Sequence, residues 1–92
     1  MVSQKVVIRN ATGLHLRPAG TLSKLAMEFS SRITFRFRDT TGNVKSVLSL
    51  LGACIKSGDE IEILCDGQDE EQALTAIVEA VQNGLGEEMA DR

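Results

Sequence analysis

Aromatic residues are scarce in this chain, and their scarcity bears on function. The sequence contains three phenylalanines but no tryptophan or tyrosine. Proteins that bind RNA on an open β-sheet stack the bases on exposed aromatic side chains. Phe35 and Phe37 alternate with polar residues and are predicted to face inward. Direct binding to nucleic acid is therefore not expected, in line with a sequence pI near 5.0.

Metal ligands and long apolar segments are limited as well. Two cysteines and a single histidine do not make a plausible zinc-binding set. We find neither a secretory signal nor an apolar run long enough to span a membrane. We therefore expect a cytoplasmic protein that does not associate with membranes, in which the thiols of Cys54 and Cys65 are reduced and buried.

Basic and acidic residues are concentrated in opposite halves of the 92-residue chain. Residues 1–56 contain nine basic and two acidic residues, a net charge of +7, whereas residues 57–92 contain one basic and eleven acidic residues, a net charge of −10. This asymmetry indicates either a basic face for an acidic partner or a phosphate, or attraction between the two halves within the fold. A chain this short has little room for an enclosed active site, so we expect its chemistry at the surface, completed by a partner.

Apolar residues recur at strand and helix spacings along the chain. They predict strands over residues 2–9, 32–38, 43–45 and 60–66, helices over residues 16–29, 47–51 and 70–83, and a turn over residues 39–42. Asp69 and Gln72 have the spacing of a capping box at the start of the third helix. The order β-α-β-β-α-β-α, with one wet sheet face, indicates an α+β open-faced sandwich. We expect one domain over residues 1–86 and a frayed acidic tail over residues 87–92.

The segment NATGLHLRPAG, residues 10–20, contains the only histidine and the only proline. Proline suits the first turn of a helix, so Pro18 places His15 at or just before a helix N-terminus. Free backbone N–H groups and the helix dipole favour an anion there, and the guanidinium of Arg17 is shaped to bind phosphate. The combination predicts a histidine that carries a phosphoryl group. The alternative is a histidine that only caps the helix or lies on the surface.

A second short motif begins at Ser46, which precedes the apolar run VLSLL. A serine in this place is an N-cap, and the local sequence alone indicates no further role. Val47, Leu48 and Leu51 can pack inward or form an exposed contact surface, and their spacing does not decide between the two.

Three segments together resemble a known family: TGLHLRPAG around His15, NVKSVLSLL around Ser46, and DGQDE before the last helix. The sequence is similar to the HPr family, the histidine-containing phosphocarriers of the bacterial sugar phosphotransferase system. The likeness spans essentially the whole chain, and the Ser46 motif indicates the Gram-positive-type branch. The resemblance implies a four-stranded antiparallel sheet covered on one face by three helices.

The resemblance also implies a role for the His15 segment. His15 would accept a phosphoryl group on Nδ1 from phosphorylated Enzyme I and pass it to a histidine of a sugar-specific Enzyme IIA. Arg17 and the backbone amides of Leu16 and Arg17 would hold the phosphoryl oxygens, and Thr12 and Pro18 would complete the phosphate cradle. The helix N-terminus and Arg17 both disfavour a cationic imidazole and favour the phosphoryl group. Because such transfer is positioning plus charge stabilisation, we expect a monomeric carrier rather than a free-standing enzyme, without metal or cofactor.

Ser46 would be the regulatory site. The resemblance implies phosphorylation by an ATP-dependent HPr kinase/phosphorylase, after which the modified protein would bind the catabolite control protein, a transcription regulator. The alternative function is that of a regulatory paralogue acting only through Ser46. Such paralogues typically lack the acceptor histidine, which is present here as His15.

A small apolar surface with a basic rim is suited to transient binding of the partner proteins. We define the apolar patch as five residues and its rim as three. The patch comprises Leu16, Gly20, Val47, Leu48 and Leu51, and the rim comprises Arg17, Lys24 and Lys45. Three positions depart from the family pattern: many members have a smaller residue at Leu16, alanine or threonine at Gly20, and glycine at Cys54.

Overall fold

The structure is a computed structural model that describes residues 1–87. Its elements are β1 (Val2–Val7), α1 (Leu16–Ala26), β2 (Arg32–Phe37), β3 (Thr40–Asn43), α2 (Val47–Gly52), β4 (Glu60–Asp66) and α3 (Glu70–Gln82), followed by a 3₁₀ turn, Gly84–Gly86. The predicted order of strands and helices is confirmed.

The four strands form one antiparallel sheet in the spatial order β1-β4-β2-β3. Alternate side chains of the two central strands face the helices, and Phe35 and Ile63 are 1% and 0% exposed. The opposite face is wet and charged, with Arg36 Nη1 lying 3.2 Å from Glu62 Oε1 on the neighbouring strand. One face covered by helices and one open to water confirm the α+β open-faced sandwich.

The hairpin between β2 and β3 is tighter than predicted. Phe37 pairs with Thr40, so the loop consists of only Arg38 and Asp39, and the predicted turn over 39–42 and strand over 43–45 are wrong. Arg38 has a φ of +55°. Two-residue hairpin loops commonly require such a left-handed residue, and an arginine gives no sequence signal for it.

The start of α3 is also built differently from the prediction. Asp69 is the N-cap residue, but its side chain does not cap the helix, so the predicted capping box with Gln72 is wrong. Its carboxylate accepts hydrogen bonds from the Ser31 hydroxyl and from the N–H groups of Ser30 and Ser31, the last two at 2.9 Å each. These bonds, chiefly that from the Ser31 hydroxyl, lower the pKa of Asp69 to about 2. Asp69 thereby joins α3 to the segment that enters β2.

Helix α1 ends at Ala26, three residues before the predicted end. The N–H groups of Glu28 and Phe29 donate to the carbonyls of Leu25 and Ala26, at 3.0 and 3.2 Å. These bonds reach back three residues rather than four, so the last turn tightens and the helix stops. Phe29 lies beyond the end of the helix, and its carbonyl accepts a hydrogen bond from the Lys45 ammonium at 2.7 Å.

The two cysteines have opposite environments. Cys65 is fully buried in β4, and burial raises the pKa of its thiol. Cys54 is exposed, so the prediction of two buried thiols is wrong for this residue. Cys54 follows the end of α2 with a φ of +57°. Glycine is favoured at such a left-handed position after a helix, which accounts for the glycine common here in the resembling family.

The predicted tail begins with a packed residue. The N–H of Glu87 donates to the Gly84 carbonyl at 2.9 Å, and the Glu87 side chain is only 12% accessible. The expected fraying is therefore wrong for Glu87, while the rest of the predicted tail, residues 88–92, lies outside the described residues. Within residues 1–87, no helix combines the length and apolar character needed to cross a membrane.

Candidate functional site

His15 is the residue immediately before α1 and occupies its N-cap, which confirms the predicted position. Its backbone is extended, with φ −83° and ψ −170°, and its carbonyl accepts the N–H of Ala19 at 2.9 Å. The imidazole does not cap the helix and is 44% accessible. The ring is therefore open to a partner rather than occupied by its own helix.

The loop before His15 is fixed from both sides. Asn10 is 1% exposed, and its Nδ2 donates to the Gly13 carbonyl at 2.6 Å. The next residue, Leu14, is buried, and its N–H donates to the Ile55 carbonyl at 3.0 Å. Gly13 has a φ of +72°, and a Cβ there would come within 2.9 Å of the Ile55 carbonyl oxygen and of Lys56 Cα. A glycine is required at this point, and its close packing sets where His15 leaves the loop.

The first turn of α1 presents unpaired backbone donors beside His15. The N–H groups of Leu16 and Arg17 have no acceptor among residues 1–87. Pro18 has no N–H, and its ring is fully buried. Thr12 is exposed, with Oγ1 3.5 Å from Asn10 Nδ2. Two free amides at the positive end of a helix dipole make a surface that suits an anion.

Glu87 contacts both predicted functional side chains, and sequence reasoning missed it. Its Oε1 lies 3.5 Å from His15 Nε2, and its Oε2 accepts a hydrogen bond from Arg17 Nη1 at 3.3 Å. The Arg17 side chain is 80% accessible. The surroundings of His15 therefore include a carboxylate as well as the expected positive groups. The only sequence signal was a pair of glycines, Gly84 and Gly86, which let the chain turn back after α3.

Ser46 is the N-cap of α2, as predicted. Its Oγ accepts the N–H of Ser49 at 3.2 Å, and its own N–H donates to the Asn43 carbonyl at 2.9 Å. Ser46 is half-buried and lies at the start of a short helix. An anionic group attached there would meet the positive end of the helix rather than an apolar core.

The apolar patch is partly surface and partly core. Leu16 and Leu48 are 67% and 81% exposed, whereas Val47 and Leu51 are half-buried against the core. The core position of α2 belongs to Leu50, which is 0% exposed and was not predicted. Helices α1 and α2 pack against each other, so the exposed leucines belong to adjoining surfaces.

The remaining predicted contact residues differ in their exposure and in whether they already bond within the chain. Lys24 is exposed, whereas Lys45 is half-buried and its ammonium is used by the Phe29 carbonyl. Gly20 is half-buried, and a Cβ there would meet nothing within 4 Å. The glycine at position 20 is therefore not required by packing within the described chain, and the alanine common in the resembling family would fit.

The arrangement suits a surface reaction. His15, the amides of Leu16 and Arg17 and the Arg17 guanidinium lie together at one helix start, and the His15 and Arg17 side chains are 44% and 80% accessible. Among residues 1–87, no group of three or more His, Cys, Asp or Glu side chains is placed to hold a metal ion. An exposed nucleophile beside donors for a dianion can accept a phosphoryl group presented by another protein.

Comparison with known proteins agrees with this geometry. A family model described as the PTS HPr component phosphorylation site matches residues 2–83. Phosphocarrier protein HPr of Mycoplasma capricolum subsp. capricolum is 43% identical over 77 residues, covering 84% of this chain and 86% of the relative. HPr-like protein Crh of Bacillus subtilis is 34% identical over 82 residues, covering 89% and 96%.

A solved structure gives the same result for the fold. HPr-C-His from Thermoanaerobacter tengcongensis superposes with a TM-score of 0.92 at 32% sequence identity, covering 97% of this chain and 100% of the other. The match to the family model includes the His15 segment, the Ser46 segment and the start of α3. The chain therefore belongs to the HPr family, the phosphocarriers of the phosphotransferase system.

Proposed function

We propose that this chain accepts a phosphoryl group on Nδ1 of His15 from phosphorylated Enzyme I and donates it to a histidine of a sugar-specific Enzyme IIA. The observation that supports this most directly is the exposed imidazole at the N-cap of α1, beside the amides of Leu16 and Arg17, which have no acceptor among the described residues. Family membership supports the phosphocarrier class, and this geometry supports the choice of acceptor atom and binding groups.

The transfer needs few groups from this protein. The lone pair of Nδ1 forms a bond to phosphorus as the donor's N–P bond breaks, and the donor ring recovers its electron pair. The phosphoryl oxygens then accept hydrogen bonds from the amides of Leu16 and Arg17. Because Arg17 is largely in solvent, its side chain can turn from its resting contact toward the new dianion. Handing the group on repeats the same exchange in the opposite direction.

Docking of both partners is proposed to use the apolar patch and its basic rim. Exposed Leu16 and Leu48 supply apolar contact area, and exposed Arg17 and Lys24 favour an acidic partner surface. Such a small contact suits a carrier that must leave each partner quickly. We propose that the carrier acts as a cytoplasmic monomer, because each transfer needs only one exposed His15.

Ser46 is proposed as a regulatory site for an ATP-dependent kinase, with the modified protein binding a catabolite control protein. A phosphate there adds a charge of about −1.5 to −2 next to the patch. The N-cap position supports this proposal, because the positive end of α2 tolerates the added charge without refolding. The same charge would repel an acidic Enzyme I surface.

A second candidate function is regulation through Ser46 alone. The likeness to HPr-like protein Crh of Bacillus subtilis favours keeping this candidate. The exposed imidazole of His15 favours phosphoryl transfer instead, since a purely regulatory protein has no use for it.

Incubation with phosphoenolpyruvate and Enzyme I separates the two functions. We expect an acid-labile, base-stable phosphate on the wild-type protein and none on His15→Ala. Transfer onward to an Enzyme IIA should release the label. Failure of the wild type to become labelled, together with acid-stable labelling of Ser46 by ATP and the kinase, would contradict the carrier function and support the regulatory one.

A further inference from the structure

The position of Glu87 is set by the packed turn that follows α3. Leu85 is 4% exposed and packs in the core, which anchors the turn after α3. Gly84 and Gly86 have φ values of +82° and +78°, so the chain reverses on either side of it. The Glu87 N–H closes the turn on the Gly84 carbonyl at 2.9 Å. Its carboxylate is thereby carried to the start of α1.

The carboxylate meets one particular edge of the His15 ring. Oε1 lies 3.5 Å from Nε2, and the Glu87 side chain is only 12% accessible whereas that of His15 is 44% accessible. A neutral imidazole has one N–H and one lone pair, and an ionised carboxylate can only accept a hydrogen bond. An N–H on Nε2 can face this carboxylate, and the tautomer that carries it keeps the lone pair on Nδ1.

We propose that Glu87 is a positioning residue for phosphoryl transfer, which keeps the His15 proton on Nε2 and offsets the positive charge that the ring acquires when Nδ1 binds phosphorus. This inference rests on the proposed function. As the Nδ1–P bond forms and the donor's N–P bond breaks, the Nε2 proton stays in place, so the ring becomes cationic and no proton is released. When the phosphoryl group leaves, the electron pair returns to Nδ1.

The carboxylate stands to His15 as the acidic residue of a serine protease triad stands to its histidine, on the nitrogen opposite the reacting one. The 3.5 Å separation is wider than a hydrogen bond of about 2.7–3.2 Å. Such contacts commonly tighten once charge develops. When Arg17 turns toward the phosphoryl group, the Glu87 carboxylate loses its contact with the guanidinium. The carboxylate then interacts with the His15 ring alone, at the step in which the ring becomes positively charged.

Single-turnover phosphorylation by Enzyme I and phosphoenolpyruvate tests the proposal. For Glu87→Ala we expect the saturating rate to fall about tenfold, with the Enzyme I concentration for half-saturation unchanged, because the group acts on the ring and not on docking. The saturating rate of Glu87→Gln should lie between those of the wild type and Glu87→Ala, since an amide oxygen still accepts a hydrogen bond from Nε2–H but carries no charge. Glu71→Ala, the same change at the far end of α3, should match the wild type.

The Arg17 contact requires a second comparison. In an Arg17→Ala background, the loss caused by Glu87→Ala should persist, because it arises at His15. In 15N-labelled phosphorylated protein, the Nε2-bound proton should exchange more slowly with water in the wild type than in Glu87→Ala. Persistence of the wild-type rate in Glu87→Ala, or a loss that vanishes without Arg17, would overturn the inference. A wild-type protein that Enzyme I cannot label would instead contradict the proposed function.

Discussion

At the residue scale, the site depends on one backbone position that only glycine fits. Gly13 combines a φ of +72° with backbone atoms of Ile55 and Lys56 within 2.9 Å of an added Cβ. We predict that Gly13→Ala lowers the free energy of unfolding by about 2 kcal/mol or more, because backbone strain and a clash add together. Phosphorylation of His15 should slow as well, because the loop that sets its position must move.

Gly58→Ala is the matched control for this substitution. Gly58 also has a left-handed backbone, with a φ of +90°, but nothing lies within 4 Å of an added Cβ. Gly58→Ala should therefore lower the free energy of unfolding only by the backbone strain, about 1 kcal/mol. Urea unfolding of both variants measures the difference. Equal losses would show that close packing at Gly13 is unimportant.

Ser46 gives a second prediction at the residue scale. Aspartate also accepts a hydrogen bond at an N-cap, so Ser46→Asp should leave the stability within about 0.5 kcal/mol of the wild type. At low salt it should slow His15 loading several-fold, because a negative charge is placed beside the apolar patch. Ser46→Asn, a neutral N-cap of the same shape, is the control. Equal loading rates for the two variants would count against electrostatic regulation.

The placement of the residues proposed to take part in the transfer could be predicted because their signals are local. His15, Arg17 and Pro18 lie within four positions, and the proline alone places the histidine at a helix start. Glu87 could not be predicted, because it is 70 positions from Arg17 and approaches only through the turn after α3. The exposure of Cys54 was missed because a left-handed cysteine has no sequence signature.

At the scale of the element, α2 divides its leucines between the surface and the core. Leu48 is 81% exposed and Leu50 is 0% exposed, two positions apart on the same helix. We predict that Leu48→Ala changes the stability by less than about 0.5 kcal/mol but raises the Enzyme I concentration for half-saturation several-fold. Leu50→Ala should cost about 2–5 kcal/mol, because it opens a cavity in the core.

Thermal unfolding and steady-state phosphorylation measure these two effects separately. A Leu48→Ala protein that is bound by Enzyme I as tightly as the wild type would remove this leucine from the proposed interface. The sequence could not separate the two leucines, because six residues of helix are too few to fix which side faces inward.

Strands were predicted better than turns, and the reason is physical. The alternation in β2 and β4 records a half-buried sheet directly in the sequence. The hairpin at Arg38 and Asp39 was misplaced because Gly42, the residue that resembles a turn signal, lies inside β3. A Cβ at Gly42 would come within 2.6 Å of the Phe35 ring, so this glycine serves packing rather than a turn.

At the scale of the whole molecule, Asp69 ties α3 to the segment before β2 and makes stability depend on pH. The hydrogen bonds from Ser31 and Ser30 lower its pKa from 3.8 to about 2. The folded state therefore holds the ionised carboxylate more strongly than the unfolded state does. Its contribution is fully present above pH 3.8 and is lost as the pH falls toward 2.

We predict that Asp69→Asn is less stable than the wild type at neutral pH and that the difference shrinks as the pH falls from about 4 to 2. Some acid sensitivity should remain in the variant, because the Gly67 N–H donates to Glu70 and lowers the pKa of that carboxyl as well. Urea unfolding midpoints across this range provide the measurement. A constant difference between the two proteins would contradict the role assigned to Asp69.

The overall fold could be predicted because the periodicity, the helix starts at His15 and Ser46 and the family motifs agree along the chain. What escaped prediction are contacts between distant segments, such as those of Asp69 with Ser31 and of Glu87 with His15. These contacts join element ends that are adjacent only once the sheet order β1-β4-β2-β3 has formed.

The most direct test of the central claim is to locate phosphorus on the His15 ring. Protein labelled with 15N is phosphorylated by Enzyme I and phosphoenolpyruvate, and 31P–15N coupling is measured. We predict coupling to Nδ1, with the amide proton signals of Leu16 and Arg17 shifting as they bind the phosphoryl oxygens. Coupling to Nε2, or amide signals that do not move, would contradict a histidine loaded at the open N-terminus of α1.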